Sequence, residues 1–340
     1  MGAIDRLGPR PVIAFGVLCM AAGVAYLGQV SEPWQPYIAF FVMGVGWSCL
    51  SSIALSTTLA PWFERHQGRA LSTAFLGASV GAIVAAPSLV FAIDRLGFAH
   101  AMLVTAAVAL AIVLPLALLV LRHRPQDMGL LPDGATELAP IPPMAAKAWR
   151  RAEFLRHPAL QSAAAAFGFG LLVQVGFLTH HVSLAAPTLG AAGAAAVVSA
   201  TGLSAFVGRV ALARFSDRMN VRLFSALVML LATATLLVLG LVQHPWALIA
   251  GSVVYGFTVG NVTTLGPIVV RREFGAASFG TAYGIASVLI GFLSGLGPAF
   301  FGLLHDAFDS YRPVLLIAAA IEISCAAIVL WGDPSRRAQS

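Results

Sequence analysis

The stretch "SAFVGRVALARFSDRMNVR", Ser204–Arg222, decides the fold. Its first half continues an apolar helical pattern with Arg209 set inside it. Its second half carries the spacing D-R-x-x-x-R, which also opens the chain in "MGAIDRLGPR", Met1–Arg10. A shift of 212 residues lays Asp5, Arg6 and Arg10 on Asp217, Arg218 and Arg222. The same shift lays Trp34 on Trp246, Gly44 on Gly256, Gly68 on Gly280, Ala70 on Ala282 and Asp94 on Asp306. The sequence therefore reads as a parallel duplication, a plan in which two copies run in the same order and orientation.

What is duplicated is membrane helix. Of the 340 residues 59% are hydrophobic and only 10% charged, with a mean hydropathy of +0.88; a soluble domain carries roughly 25% charged residues. Ten apolar stretches are long enough to cross the hydrocarbon, for which ~20 residues are needed: 11–30, 36–60, 71–93, 101–121, 159–183, 190–214, 222–243, 246–270, 278–303 and 312–331. The ten-residue alternation of a barrel is absent. The expected class is an all-α polytopic membrane protein. Residues 1–121 are expected to form a shortened first bundle, 122–158 a polar, proline-bearing linker, 159–333 a six-helix second bundle and 334–340 a tail. In the second copy two helices precede Asp217, whereas only four residues precede Asp5. The expected parent is a six-plus-six plan, of which this sequence carries four plus six. Either a truncation or a start codon placed too far downstream would produce that.

Charge placement gives the expected orientation. With the N-terminus inside, seventeen of the twenty basic residues fall in cytoplasmic segments, and only Arg95 and Arg312 fall outside, which is the positive-inside bias. Both termini and the linker are then cytoplasmic, in a multi-pass protein of the cell (plasma or inner) membrane. The net charge of +6 reads as topology and contact with the lipid bilayer rather than with nucleic acid. Cys19, Cys49 and Cys325 lie within spans and read as small buried apolar residues. No secretory signal pattern opens the sequence. Neither H-E-x-x-H, G-x-S-x-G nor a P-loop occurs, so no enzyme, cofactor or metal is expected.

"GAIDRLGPR" resembles the loop motif of the major facilitator superfamily, and "SDRMNVR" is its weaker second copy. "RPQDMGLLPDG", "REFGAASFGTAYG" and "GLGPAFFGLLHD" are similar to stretches of the monocarboxylate and oxalate–formate branch. The resemblance implies a two-bundle transporter working by alternating access on a small organic anion, by proton symport or anion exchange. It also implies that Asp5 and Asp217, with Arg6 and Arg218, latch the bundles at the cytoplasmic face; a solvated basic turn is the plainer reading. In that branch an arginine at the place of Arg209 binds the substrate carboxylate, whose two oxygens match the guanidinium fork. The alternative is a structural arginine paired with a helix end or an acidic side chain. Two further readings stay open: a drug exporter of the same fold, and a fragment that does not transport.

Other polar groups inside spans are weaker candidates. Gln174 and His181, seven residues apart, share a helix face; His180 and His181 suit the wet interface better than a proton relay. Tyr255, Thr258, Asn261 and Thr264 recur at helical spacing, and Tyr283 and Ser287 are four apart. These would suit a cavity wall or hydrogen bonds within a bundle. Glu322 is the acidic residue set deepest in a span, where desolvation favours a proton carrier. The resemblance makes its helix peripheral. Gly77, Gly81 and Pro87 punctuate the third span, and Gly291, Gly295, Gly297, Pro298 and Gly302 its repeat mate; such residues allow close approach and bending.

Overall fold

Hydrocarbon offers no water to a backbone, so a run such as "LVMLLATATLLVLGL", residues 227–241, must pair its own N–H and C=O groups along a helix. The computed structural model of the chain is built this way, and describes residues 3–63, 66–134, 151–215, 219–242 and 244–332. In order, α1 is Ala3–Leu7, α2 Pro9–Leu27, α3 Gln35–Leu50, α4 Ser52–Leu59, α5 Gln67–Leu96 and α6 Phe98–Pro115, which runs on through a π-helical turn Leu116–Val120. α7 is Arg151–Arg156, α8 Pro158–Gly190, α9 Ala192–Phe215, α10 Val221–Leu241, α11 Pro245–Gly275, α12 Ser278–Phe308 and α13 Tyr311–Trp331.

Among the described residues, nine helical stretches are long and apolar enough to cross a membrane. They match nine of the ten expected spans; the tenth, 71–93, coincides with the 30-residue α5, which is not among the nine. The expected span 36–60 is interrupted. Ser51 is extended (φ −66°, ψ 170°) and divides α3 from α4, its hydroxyl donating to the Ser48 carbonyl. α8 and α9 join without a loop at Gly190 (φ 70°), as α11 and α12 do at Gly275 (φ 74°). Glycine reaches that left-handed region without a Cβ clash. Side chains cap the starts of α10 and α13: Asn220 Oδ1 accepts from Leu223 N at 3.1 Å, and Ser310 Oγ from Arg312 N at 3.2 Å.

The chain divides into two units, Met1–His66 with Ile83–Ala145, and Gln67–Ala82 with Ala146–Ser340. In the first, α2 packs on α3 and α6. In the second, the α8–α9 run packs on the α11–α12 run, and α10 on α13. The core there includes Val173, Phe177, Leu236, Tyr255, Val314 and Ala318. Large apolar side chains face outward in both units, among them Tyr37, Phe41, Val288 and Leu303. Exposed apolar surface of this extent is the lipid-facing side of a membrane protein.

One polar cluster ties the second unit together. Arg222, 3% exposed, donates from Nε and Nη2 to the two carboxylate oxygens of Glu273 (2.5 and 2.9 Å). Its Nη1 donates to Ser162 Oγ (3.0 Å) and the Val329 carbonyl (2.6 Å), and Nη2 also to the Ala159 carbonyl (2.7 Å). The starts of α8 and α10 and the ends of α11 and α13 thus meet at one guanidinium. The sequence places Arg222 at the cytoplasmic start of a span; the structure buries it, because three distant segments supply acceptors there.

Candidate functional site

Arg209 lies on α9, buried to 7% exposure. Its Nη2 donates to Thr263 Oγ1 of α11 at 3.3 Å, and that hydroxyl in turn donates to the Val259 carbonyl at 3.2 Å. Thr263 can do both because a hydroxyl carries lone pairs as well as one proton. Asn261, fully buried, packs across Gly208, the residue before Arg209. Its Nδ2 donates to the Phe257 carbonyl at 2.8 Å, while its Oδ1 is buried with no hydrogen-bond partner among the described residues. An unpaired buried acceptor costs about 1–3 kcal/mol, so this amide oxygen is poised for a donor. Close approach of α9 and α11 is what assembles the group. A Cβ on Gly260 would collide with the Ala205 carbonyl, and one on Gly256 with that of Thr201.

A second group lies nine residues back along α11, about 13 Å at 1.5 Å per residue. His181 of α8 is 1% exposed and its Nε2 shares a hydrogen bond of 2.8 Å with Ser252 Oγ. Thr201 donates to the Ser252 carbonyl at 3.1 Å. Phe177 packs tilted against both His181 (ring centroids 4.8 Å apart) and Tyr255 (4.3 Å). The wet-interface expectation fails for His181 of the histidine pair. His181 is interior, and His180 is half-buried between Tyr311 Oη (2.9 Å) and the Pro298 carbonyl (3.1 Å).

The remaining expected residues fall elsewhere. Tyr255 is part of the apolar core. Thr258 and Thr264 donate to the carbonyls of Tyr255 and Gly260 on their own helix. Tyr283 stacks flat on Phe279, centroids 5.4 Å apart, with the Arg271 guanidinium 5.9 Å from the Phe279 ring. Gln174 is buried. Glu322 is 1% exposed on α13, and its carboxylate faces Gly170 of α8, where an added Cβ would stand 3.7 Å from it. Arg6 is exposed. Asp217 and Arg218 lie outside the described residues, as does the side chain of Asp5. The structure thus pairs Arg209 with Thr263, which the sequence did not single out, and sets Asn261 against Gly208, the residue before it. Thr263 lies two residues from Asn261 in the polar run "GNVTT", and that density of polar residues inside an apolar span is the signal that could have found it.

Residues 1–239 and 162–340 match the family model of the Major Facilitator Superfamily. The chain belongs to the Major Facilitator Superfamily. It is 26% identical over 340 residues to human monocarboxylate transporter 11, covering 94% of this chain and 68% of the human protein. Over 86 residues it is 33% identical to the multidrug resistance protein MdtH of Enterobacter sp. (strain 638), 25% of this chain and 21% of that protein. A crystal structure of the E. coli fucose:proton symporter FucP, in a point-substituted form, shares the fold, with a TM-score of 0.71 at 17% identity over 97% of this chain and 85% of that one. The all-helical, two-copy transporter plan read from the sequence is the plan of this superfamily.

Proposed function

We propose that the chain is a secondary transporter of a small organic anion of the monocarboxylate type, working by alternating access with proton symport or anion exchange. The observation that carries this reading is Arg209: a guanidinium buried inside a membrane helix and hydrogen-bonded to Thr263 of the neighbouring helix. Charges at such depth are costly and mark substrate paths, and a carboxylate is the partner a planar fork fits best. The name of the human relative agrees. Lysine keeps the charge but not the fork, so Arg209→Lys should weaken binding of small carboxylates by roughly 2–5 kcal/mol, about 30-fold to several-thousand-fold. Calorimetric titration of the purified chain, with uncharged analogues of equal size as controls, reads this directly. Equal carboxylate affinity in both proteins would reject the substrate role. The drug-exporter reading, to which the match with MdtH lends support, expects no such loss.

In this reading residues 1–121 and 159–333 act as the two bundles and Asp5, Arg6, Asp217 and Arg218 as cytoplasmic latch residues, with both termini inside. A cysteine placed at Asp133, in a background without the native cysteines, should resist impermeant labelling from outside intact cells, and one at Phe98 should react. Reaction at position 133 from outside would overturn the orientation.

A further inference from the structure

In the first unit, the start of α2 and the end of the π-helical turn after α6 meet around a cleft of about 270 Å³, lined by Leu7, Gly8, Pro9, Arg10, Pro11, Arg122, His123 and Asp127. We propose that this cleft binds the headgroup of an anionic phospholipid. Among the described residues Arg10 uses only Nε, donating to the Leu121 carbonyl at 2.6 Å. Arg122 uses only Nη1, on the carbonyls of Leu119 and Leu121 at 2.9 and 3.2 Å. Among the described residues neither arginine has a carboxylate within ion-pair distance. The one acidic side chain in the wall, Asp127, has its Oδ2 engaged by the Arg124 N–H at 3.0 Å. Two guanidinium groups held by carbonyls, with nitrogens left over, form a socket for phosphate oxygens.

The cleft is shaped for this. Gly8 turns with φ +81°, and the His123 ring closes one wall 3.5 Å from where a Cβ would stand on it. Pro9 and Pro11 have no N–H, so the α2 terminus offers an anion few backbone donors and the side chains must supply the binding. Both helices that end here, Pro9–Leu27 and Phe98–Val120, are membrane spans, so the cleft lies at the level of the headgroups. Beside it Leu119 and Val120 are 71% and 65% exposed, an apolar strip for acyl chains. A soluble anion would use the arginines and leave that strip idle, so the occupant is a lipid.

The test is native mass spectrometry of the full chain in an uncharged detergent, titrated with phosphatidylglycerol and, separately, with phosphatidylcholine of the same acyl chains. Wild type should prefer phosphatidylglycerol. Arg10→Gln with Arg122→Gln should lower that affinity about 30-fold and Arg122→Gln alone about 5-fold, from the cost of each basic charge at a membrane surface. Arg10→Lys with Arg122→Lys should retain most of it, since the charge stays. Phosphatidylcholine should be indifferent to all of them. If the double glutamine variant does not fold, the Arg122→Gln variant decides alone, because its bonds reach only three residues along its own strand of chain. Unchanged phosphatidylglycerol binding in the glutamine variants overturns the proposal. So does displacement of the lipid by inorganic phosphate as readily as by phosphatidylglycerol, which would mark a soluble-anion site.

Discussion

Arg10 and Arg222 hold the same place in the two copies, yet their surroundings differ. Each reaches a carbonyl at the C-terminal end of the last helix of its half, Leu121 for Arg10 and Val329 for Arg222. A cation there is favoured by the free carbonyls of a helix end. Beyond that shared contact they part. Arg222 is buried among Glu273, Ser162 and Ala159, whereas Arg10 is half-buried with the rest of its guanidinium facing a cleft. The shift that takes Arg222 to Arg10 takes Glu273 to Pro61, which has no carboxylate. Glu64, a nearby carboxylate in the sequence, lies outside the described residues. Gly256 and Gly44 repeat the contrast: a Cβ on Gly256 would meet Thr201 and Ser204 of α9, while one on Gly44 meets nothing within 4 Å. A duplicated residue keeps its local geometry and takes its chemistry from the neighbours its own copy supplies.

The sharpest way to break this comparison is Arg222→Met. It removes the two-pronged ion pair with the Glu273 carboxylate, which is 14% exposed, and breaking a buried pair costs about 3–5 kcal/mol. Thermal unfolding in detergent should show it, with Arg10→Met costing about 1 kcal/mol for one lost hydrogen bond; equal losses would mean that the two arginines do the same work. Gly256→Ala comes next, at about 1–3 kcal/mol of overpacking against α9. Gly44→Ala should instead gain up to about 1 kcal/mol from helix propensity. If both alanines were neutral, the tight α9–α11 contact would be disproved. Smallest is Ser162→Ala, which removes one of the five bonds to Arg222 and should cost about 1 kcal/mol. A loss as large as that of Arg222→Met would place the strength of the clamp in the hydroxyl rather than in the ion pair.

The spans, the duplication and Arg209 inside an apolar helix were legible in the sequence, because hydropathy, spacing and the cost of a charge in hydrocarbon are properties of short segments. The break at Ser51 was not. Nothing in "CLSSIAL", residues 49–55, interrupts the apolar run strongly enough to announce an extended residue. The fates of the polar side chains were illegible for a different reason. His181 is interior because Ser252, 71 residues away, stands opposite it. Glu322 is buried facing Gly170 of α8, 152 residues back along the chain. Thr263 completes the Arg209 group only because small residues let α9 and α11 approach. The sequence by itself determined which segments enter the membrane and that they repeat, and the tertiary structure alone decided which of two equivalent arginines is buried. Burial is set by neighbours from distant segments, and no local pattern carries that information.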